Sequence, residues 1–141
     1  MSATVLLIDD DLDLLPAMEA TLHAMSPFQV TVARDGVEGL EQVEAVHPDC
    51  VVVDVRMPHL DGLQFVRAMR GDPATADIPI VILSAMKQEH DIVRGFLAGT
   101  DRYVPKPVEP EDLVEIIAEV LTVTVQERLR HLQALAEEEP A

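Results

Sequence analysis

Two hydrophobic rhythms alternate along the chain. Short apolar runs, rich in β-branched residues and almost unbroken by polar ones, recur at Val5-Leu6-Leu7-Ile8, Val51-Val52-Val53 and Ile80-Val81-Ile82-Leu83. Strands buried on both faces of a parallel sheet read this way. Between the runs, apolar residues recur three and four apart, the spacing of one helical face. Residues 3–8 predict a first strand and residues 12–25 a helix that buries Leu14, Leu15, Met18 and Leu22. Pro16 falls in the first turn of that helix, where no intrahelical donor is needed, with Asp13 as the expected N-cap. Residues 28–33 alternate through Phe28, Val30 and Val32 as a second strand. Asp35-Gly36 predicts a turn, and residues 37–46 a helix through Val37, Leu40, Val43 and Val46.

Pro48 separates that helix from a strand at 50–54, and the loop from Met57 to Gly62 leads to a helix over roughly 63–70. Pro79 opens a strand that finishes at Ser84. A helix over about 88–98 stops at Gly99, a short strand holds Tyr103 and Val104, and a last helix after Pro110 buries Leu113, Ile116, Ile117 and Val120. Strands and helices in strict alternation predict an α/β fold, a parallel sheet covered on both faces through right-handed crossovers. Residues 1–121 make up that domain. Residues 122–141 predict a helical extension or linker through Val125, Leu129 and Leu132, with an acidic end at Glu137-Glu138-Glu139. So short a helix is marginal alone, so its stripe is expected to dock on the domain or on a second copy, giving a homodimer.

Composition narrows the setting. Hydrophobic residues make up 48% of the chain, but Phe28, Phe65, Phe96 and Tyr103 are the only aromatic ones, so the core must be aliphatic. No run approaches the ~20 apolar residues of a membrane span, and no basic region followed by an apolar run marks a secretory signal. Cys50 is the single cysteine and adjoins a core strand, which predicts a buried thiol and rules out an internal disulfide. The expected setting is cytoplasmic. A net charge of −16, with ten basic residues scattered along the chain, argues against binding nucleic acid or anionic membranes.

The chemistry sits at the strand ends. Asp9 and Asp10 end the first apolar run and Asp54 ends the third, so neighbouring strands would bring three acids together at the carboxyl edge of the sheet. Like charges this close repel until a proton or a cation relieves them, and an all-oxygen set suits Mg²⁺. Ser84 ends the fourth strand and Lys106 follows the fifth. With a cation neutralising phosphoryl oxygens, Asp54 is the natural nucleophile for an aspartyl phosphate, Lys106 a mobile positive charge and Ser84 a hydrogen-bond donor. Taken singly, each has a plainer reading: Asp9-Asp10-Asp11 as a helix cap, Ser84 as a strand-end hydroxyl, Lys106 as a surface lysine. Their convergence favours the site. His23, His47, His59, His90 and His131 show no ligand spacing.

In order and spacing, Leu7-Ile8-Asp9-Asp10-Asp11, Asp35-Gly36, Val53-Asp54-Val55-Arg56-Met57-Pro58, Asp61-Gly62, Ile82-Leu83-Ser84-Ala85 and Ala98 to Pro107 resemble the receiver domain of two-component response regulators, from about Val5 to Leu121. The resemblance implies a flavodoxin-like, doubly wound (βα)5 sandwich with strand order 2-1-3-4-5. It makes Asp54 the acceptor of a phosphoryl group from a histidine kinase or histidine phosphotransfer protein. Mg²⁺ would be held by Asp10, Asp54 and the backbone carbonyl of Arg56, with Asp9 acting through a water. It further implies a cis Lys106–Pro107 peptide, a small residue at Ala85, and a switch pair, Ser84 and Tyr103, whose movement controls a downstream effector or output domain. Such chemistry is self-modification and slow self-dephosphorylation, not enzymatic turnover.

Three residues bear on the switch and on how long the phosphate survives. Ser84 stands where threonine is commoner, and Arg56 and Met86 occupy positions that affect phosphate lifetime. A competing reading is a Mg²⁺-dependent phosphohydrolase resembling the haloacid dehalogenase group, with Asp9 as nucleophile and Asp11 as acid/base; it leaves Asp54 without a role. A third is a phosphorylation-independent interaction module, against which the intact acid, hydroxyl and lysine set argues.

Overall fold

The computed structural model describes residues 3–11, 13–55, 60–85, 99–122 and 130. Five strands are present: β1 (Thr4–Ile8), β2 (Gln29–Ala33), β3 (Cys50–Asp54), β4 (Ile80–Ser84) and β5 (Arg102–Pro105). Around them lie α1 (Leu14–Met25), α2 (Gly36–Val46), α3 (Gly62–Gly71) and a closing helix over residues 110–122. The strands form one parallel sheet in the order β2-β1-β3-β4-β5, as expected. The chain winds outward from β1 to β2, then crosses back to β3 on the other side of β1. Open α/β sheets bind their ligands where the winding reverses in this way.

Strand alternation sorts the apolar residues into two cores. Leu6, Ile8, Val51, Val53, Ile80 and Ile82 face Val43 of α2 and Phe65, Val66 and Met69 of α3. Val5, Leu7, Val52, Val81 and Leu83 face Leu15 and Leu22 of α1 and Leu113, Ile117 and Val120 of the closing helix. Because each central strand is covered on both faces, its apolar run is continuous, and each fully buried side chain contributes roughly 1.5–3 kcal/mol. Ile116, expected inside, is only half-buried at the rim of the second core.

The helix starts correct the sequence reading at two places. Asp13 does not cap α1 with its side chain; its backbone is already helical (φ −87°, ψ −40°). Asp11 does the capping, accepting from the N–H groups of Asp13 at 3.0 Å and Leu14 at 3.1 Å. A side chain caps from extended backbone, so the acid two residues earlier takes the role. Asp35-Gly36 is not a free turn, since Asp35 caps α2 by accepting from Glu38 N–H at 2.8 Å and Gly36 is the first helical residue. Val37 is correspondingly 49% exposed. The face of α2 against the sheet carries Gly36, Gly39 and Val43, and at Gly39 a side chain would run into Ile8 Cδ1 at 2.5 Å. The glycines let the helix lie close, which turns Val37 outward.

At the amino edge of the sheet, Arg70 ties three segments together. Its guanidinium donates to the carbonyls of Gly99 (2.8 Å), Ala76 (2.9 Å) and Ile78 (2.7 Å), and to Asp101 Oδ2 at 3.0 Å. Asp101 Oδ2 also accepts from Ile80 N–H at 2.7 Å. The lead-ins to β4 and β5 are thereby held in register, and with them the residues at their far ends. The helix expected over 88–98, nearly all of the extension beyond 122, and Arg56, His59 and Met86 lie outside the described residues.

Candidate functional site

Register alone brings the predicted residues together. Ile8 pairs with Val53, so Asp9 leaves β1 beside Asp54 at the end of β3. Asp54 pairs with Leu83, which puts Ser84 one step beyond it on β4. Ser84 pairs with Pro105, and Lys106 follows. The Lys106 N–H donates to the Ser84 carbonyl at 2.8 Å, which extends the ladder by one bond and fixes where the lysine leaves the sheet. The Lys106–Pro107 peptide is cis, as expected.

Asp9 and Asp54 are buried, whereas Asp10 is exposed at the mouth. One carboxylate oxygen from each of the three lies within 4.8 Å of the others. The Lys106 ammonium bridges the two buried acids, donating to Asp9 Oδ2 at 3.0 Å and Asp54 Oδ2 at 3.1 Å. Burial alone would push this ammonium's pKa down, but the hydrogen bond to Asp9 and the charge of Asp54 outweigh it, and the value is raised. The lysine is therefore charged across the physiological range. Asp11 N–H donates to the other oxygen of Asp9 at 2.9 Å. Asp11's own carboxyl is held below its ordinary value by the N–H groups of Leu14 and Asp13.

Three carboxylates and one ammonium leave a net negative pocket with oxygen donors converging on one point. A cation with metal–oxygen distances of about 2.0–2.1 Å and a preference for oxygen ligands suits such a set. The donor set thus fits Mg²⁺. Ser84 is fully buried at the same edge. Tyr103, opposite Ile82 in the register, is half-buried and packs against the core beneath α2 and α3. Arg56 is the one predicted ligand outside the described residues.

Asp11 joins both readings of the acidic run, helix cap and acid site: its N–H orients Asp9 while its carboxylate starts α1. The signal available was acids two residues apart before a helix, the pattern of successive side-chain-to-backbone turns. A groove of about 370 Å³ opens beside Lys106, walled also by Leu14, Met18, Leu83, Ala85, Pro107 and Val108.

Comparison with known proteins extends this geometry. The family model of the response regulator receiver domain matches residues 5–118. Response regulator MprA of Mycobacterium tuberculosis is 37% identical over 127 residues, covering 90% of this chain and 54% of that protein. Transcriptional regulatory protein PrrA of Mycobacterium leprae is 40% identical over 119 residues, covering 84% of this chain and 48% of that protein. The chain spans about half the length of these curated relatives. Among solved structures, the receiver domain of Francisella response regulator 1452 superposes with a TM-score of 0.80 at 28% identity, covering 87% of this chain and 99% of that one. The chemotaxis protein CheY4 of Vibrio cholerae superposes with a TM-score of 0.80 at 28% identity, over 85% of this chain and 99% of that one.

Proposed function

The chain belongs to the response regulator receiver domain family, the switch component of two-component signalling, and on that footing we propose that Asp54 is its phosphoacceptor. The observation that carries the reading is the position of the Asp54 carboxylate, at a strand end, beside Asp9 and Asp10 and 3.1 Å from the Lys106 ammonium. An Asp54 oxygen attacks the phosphorus of a phosphohistidine, the P–N bond breaks, and the imidazole leaves with the electron pair and takes up a proton. Asp10, Asp54 and the Arg56 backbone carbonyl would hold Mg²⁺, with Asp9 acting through a water. When bound, the ion supplies charge neutralisation that lets a phosphoryl anion approach the acids.

Lys106 already touches the acceptor carboxylate, so a phosphoryl group there meets a charged donor without a long search. Ser84 donates to the same group, and Tyr103 follows its movement inward. The donor is a histidine kinase or histidine phosphotransfer protein, and the altered surface controls a downstream effector or output domain. The relatives' greater length supports an output domain in those proteins. The reaction is self-modification followed by slow self-dephosphorylation. The phosphohydrolase alternative with Asp9 as nucleophile loses its ground, because the matched family is the receiver domain and Asp54, idle in that scheme, stands among the acids.

The test is intact-mass spectrometry after incubation with a small acyl phosphate. Wild type should gain one phosphoryl group with Mg²⁺ and none with a chelator, and Asp54→Asn should gain none. Undiminished labelling of Asp54→Asn would sink the assignment.

A further inference from the structure

The segment between β3 and α3 carries the acceptor aspartate at one end and is gripped by glycines at both ends. Gly62, the buried first residue of α3, donates its N–H to the Val55 carbonyl at 2.9 Å. A Cβ built there would stand 2.5 Å from the Asp54 carbonyl oxygen and 2.7 Å from Val55 Cα. Non-bonded carbons rest at about 3.5–4.0 Å, so one side would have to move. Both obstructing atoms are backbone, which cannot swing aside as a side-chain end can. At the far end, Gly36 of α2 presses on Leu60: a Cβ there would lie 2.5 Å from the Leu60 carbonyl oxygen and 2.9 Å from its Cβ.

Which side would yield follows from the packing. α3 is anchored by Phe65, Val66 and Met69, all essentially fully buried, and its start is locked by a capping box between Asp61 and Gln64. A helix so held cannot back away without opening the core. Asp54 is the last residue of β3, in register with Leu83, and Val55 follows it beyond the sheet. Asp54 and Val55 would therefore give way. We infer that Gly62 is a positioning residue for the acid site: its missing side chain lets α3 bear directly on the main chain of Asp54 and set where that carboxylate stands. Beyond the proposed phosphoacceptor role, it assigns the placement of Asp54 to a contact made by a helix start.

Two other glycines provide internal controls. Nothing lies within 4 Å of a Cβ at Gly71. At Gly39 the nearest atoms are side-chain atoms, Ile8 Cδ1 at 2.5 Å and Phe65 Cε2 at 3.1 Å, so the strain falls on core side chains and not directly on the main chain of Asp54. Gly62→Ala, Gly39→Ala and Gly71→Ala in the full chain should be compared by metal-free amide NMR, thermal melting and Mg²⁺ titration calorimetry. Gly62→Ala should shift the Asp54 and Val55 amides and weaken Mg²⁺ binding about tenfold or more, as loss of a group supporting a metal ligand does. Gly39→Ala should lower the melting temperature yet leave both readouts in place, and Gly71→Ala should change neither.

Unmoved Asp54 and Val55 amides in Gly62→Ala would overturn the inference, as would equal loss of Mg²⁺ affinity in Gly39→Ala. If Gly62→Ala does not fold, Asp61→Ala breaks the capping box that holds Gly62 against Asp54 and must shift the same two amides; unmoved amides in that variant also overturn it. Because the affinity readout rests on the proposed function, wild type that binds no Mg²⁺ refutes that reading, while the metal-free amide shifts still judge the glycine.

Discussion

The Lys106 ammonium and the Asp54 carboxylate stand 3.1 Å apart although 52 residues separate them in the chain. The same ammonium also holds Asp9, so one lysine neutralises part of a three-acid cluster. Its removal has a sign that can be worked out. Two buried carboxylates would be left facing each other without a counter-charge, and breaking a buried pair from one side leaves its charge uncompensated.

Lys106→Ala should therefore destabilise the metal-free protein at neutral pH by about 1–3 kcal/mol, a range reduced from that of fully buried pairs because the lysine is partly solvated. Added Mg²⁺ should stabilise the variant more than wild type, since it no longer competes with the ammonium for Asp54. Urea denaturation with and without the ion measures both. A variant as stable as wild type, with the same response to Mg²⁺, would contradict the pairing.

Asp10 differs from its two neighbours in being exposed. Asp10→Asn removes one negative charge from the cluster and strands no buried partner. The metal-free melting temperature should hold or rise. Mg²⁺ affinity should nonetheless fall by at least the ~10–100-fold that loss of a group supporting a metal ligand costs. A calorimetric titration that matched wild type would remove Asp10 from the ligand set.

Much of this architecture was legible because physics writes it locally. Unbroken runs such as Val51–Val53 announce strands covered on both faces, and the acid, hydroxyl and lysine that follow the strand ends are carried to one edge by parallel register. What failed to show was set by contacts between elements. Val37 has the right spacing for the buried face of α2, but Gly39 against Ile8 decides how the helix is rolled. Asp13 has the right chemistry for a cap, but its own dihedrals pass the role to Asp11. Asp61-Gly62 reads as a turn and helix start, but nothing local says that this start meets the main chain of Asp54.

Cys50 lies within a core strand, and burial pushes its thiol up to about 12. In the unfolded chain a cysteine ionises near ~8.5. Below that pH both states hold the proton and stability is unaffected. Between it and the folded value only the unfolded chain releases the proton, so stability drains as pH rises, by about 1.4 kcal/mol per pH unit. The stability difference between wild type and Cys50→Val should accordingly shift in the variant's favour from pH 8 to pH 10, measured by urea midpoints. At pH 8 a thiol reagent should label wild type only as fast as the core opens. Labelling at the rate of an exposed cysteine would show the burial to be wrong.

Ser84 and Tyr103 lie on adjacent strands, the serine fully buried at the carboxyl edge and the tyrosine half-buried two rungs below the Ser84–Pro105 pair's level on its own strand. If the phosphoryl group on Asp54 draws in the Ser84 hydroxyl, the space this vacates is what lets the ring turn inward, and the two events are coupled. Tyr103 is the single tyrosine of the chain, so its ring resonances can be followed without overlap after selective labelling. In wild type those resonances should move on phosphorylation. In Ser84→Ala, mass spectrometry should still register a phosphoryl group in some measure, while the ring signals stay close to their unphosphorylated positions. On the roles proposed above, removing the hydroxyl would take away the donor that links the phosphoryl group to the ring but leave Asp54, Asp10 and Lys106 to carry out transfer. Ring signals that moved equally in both phosphorylated proteins would show that Tyr103 answers to something other than Ser84.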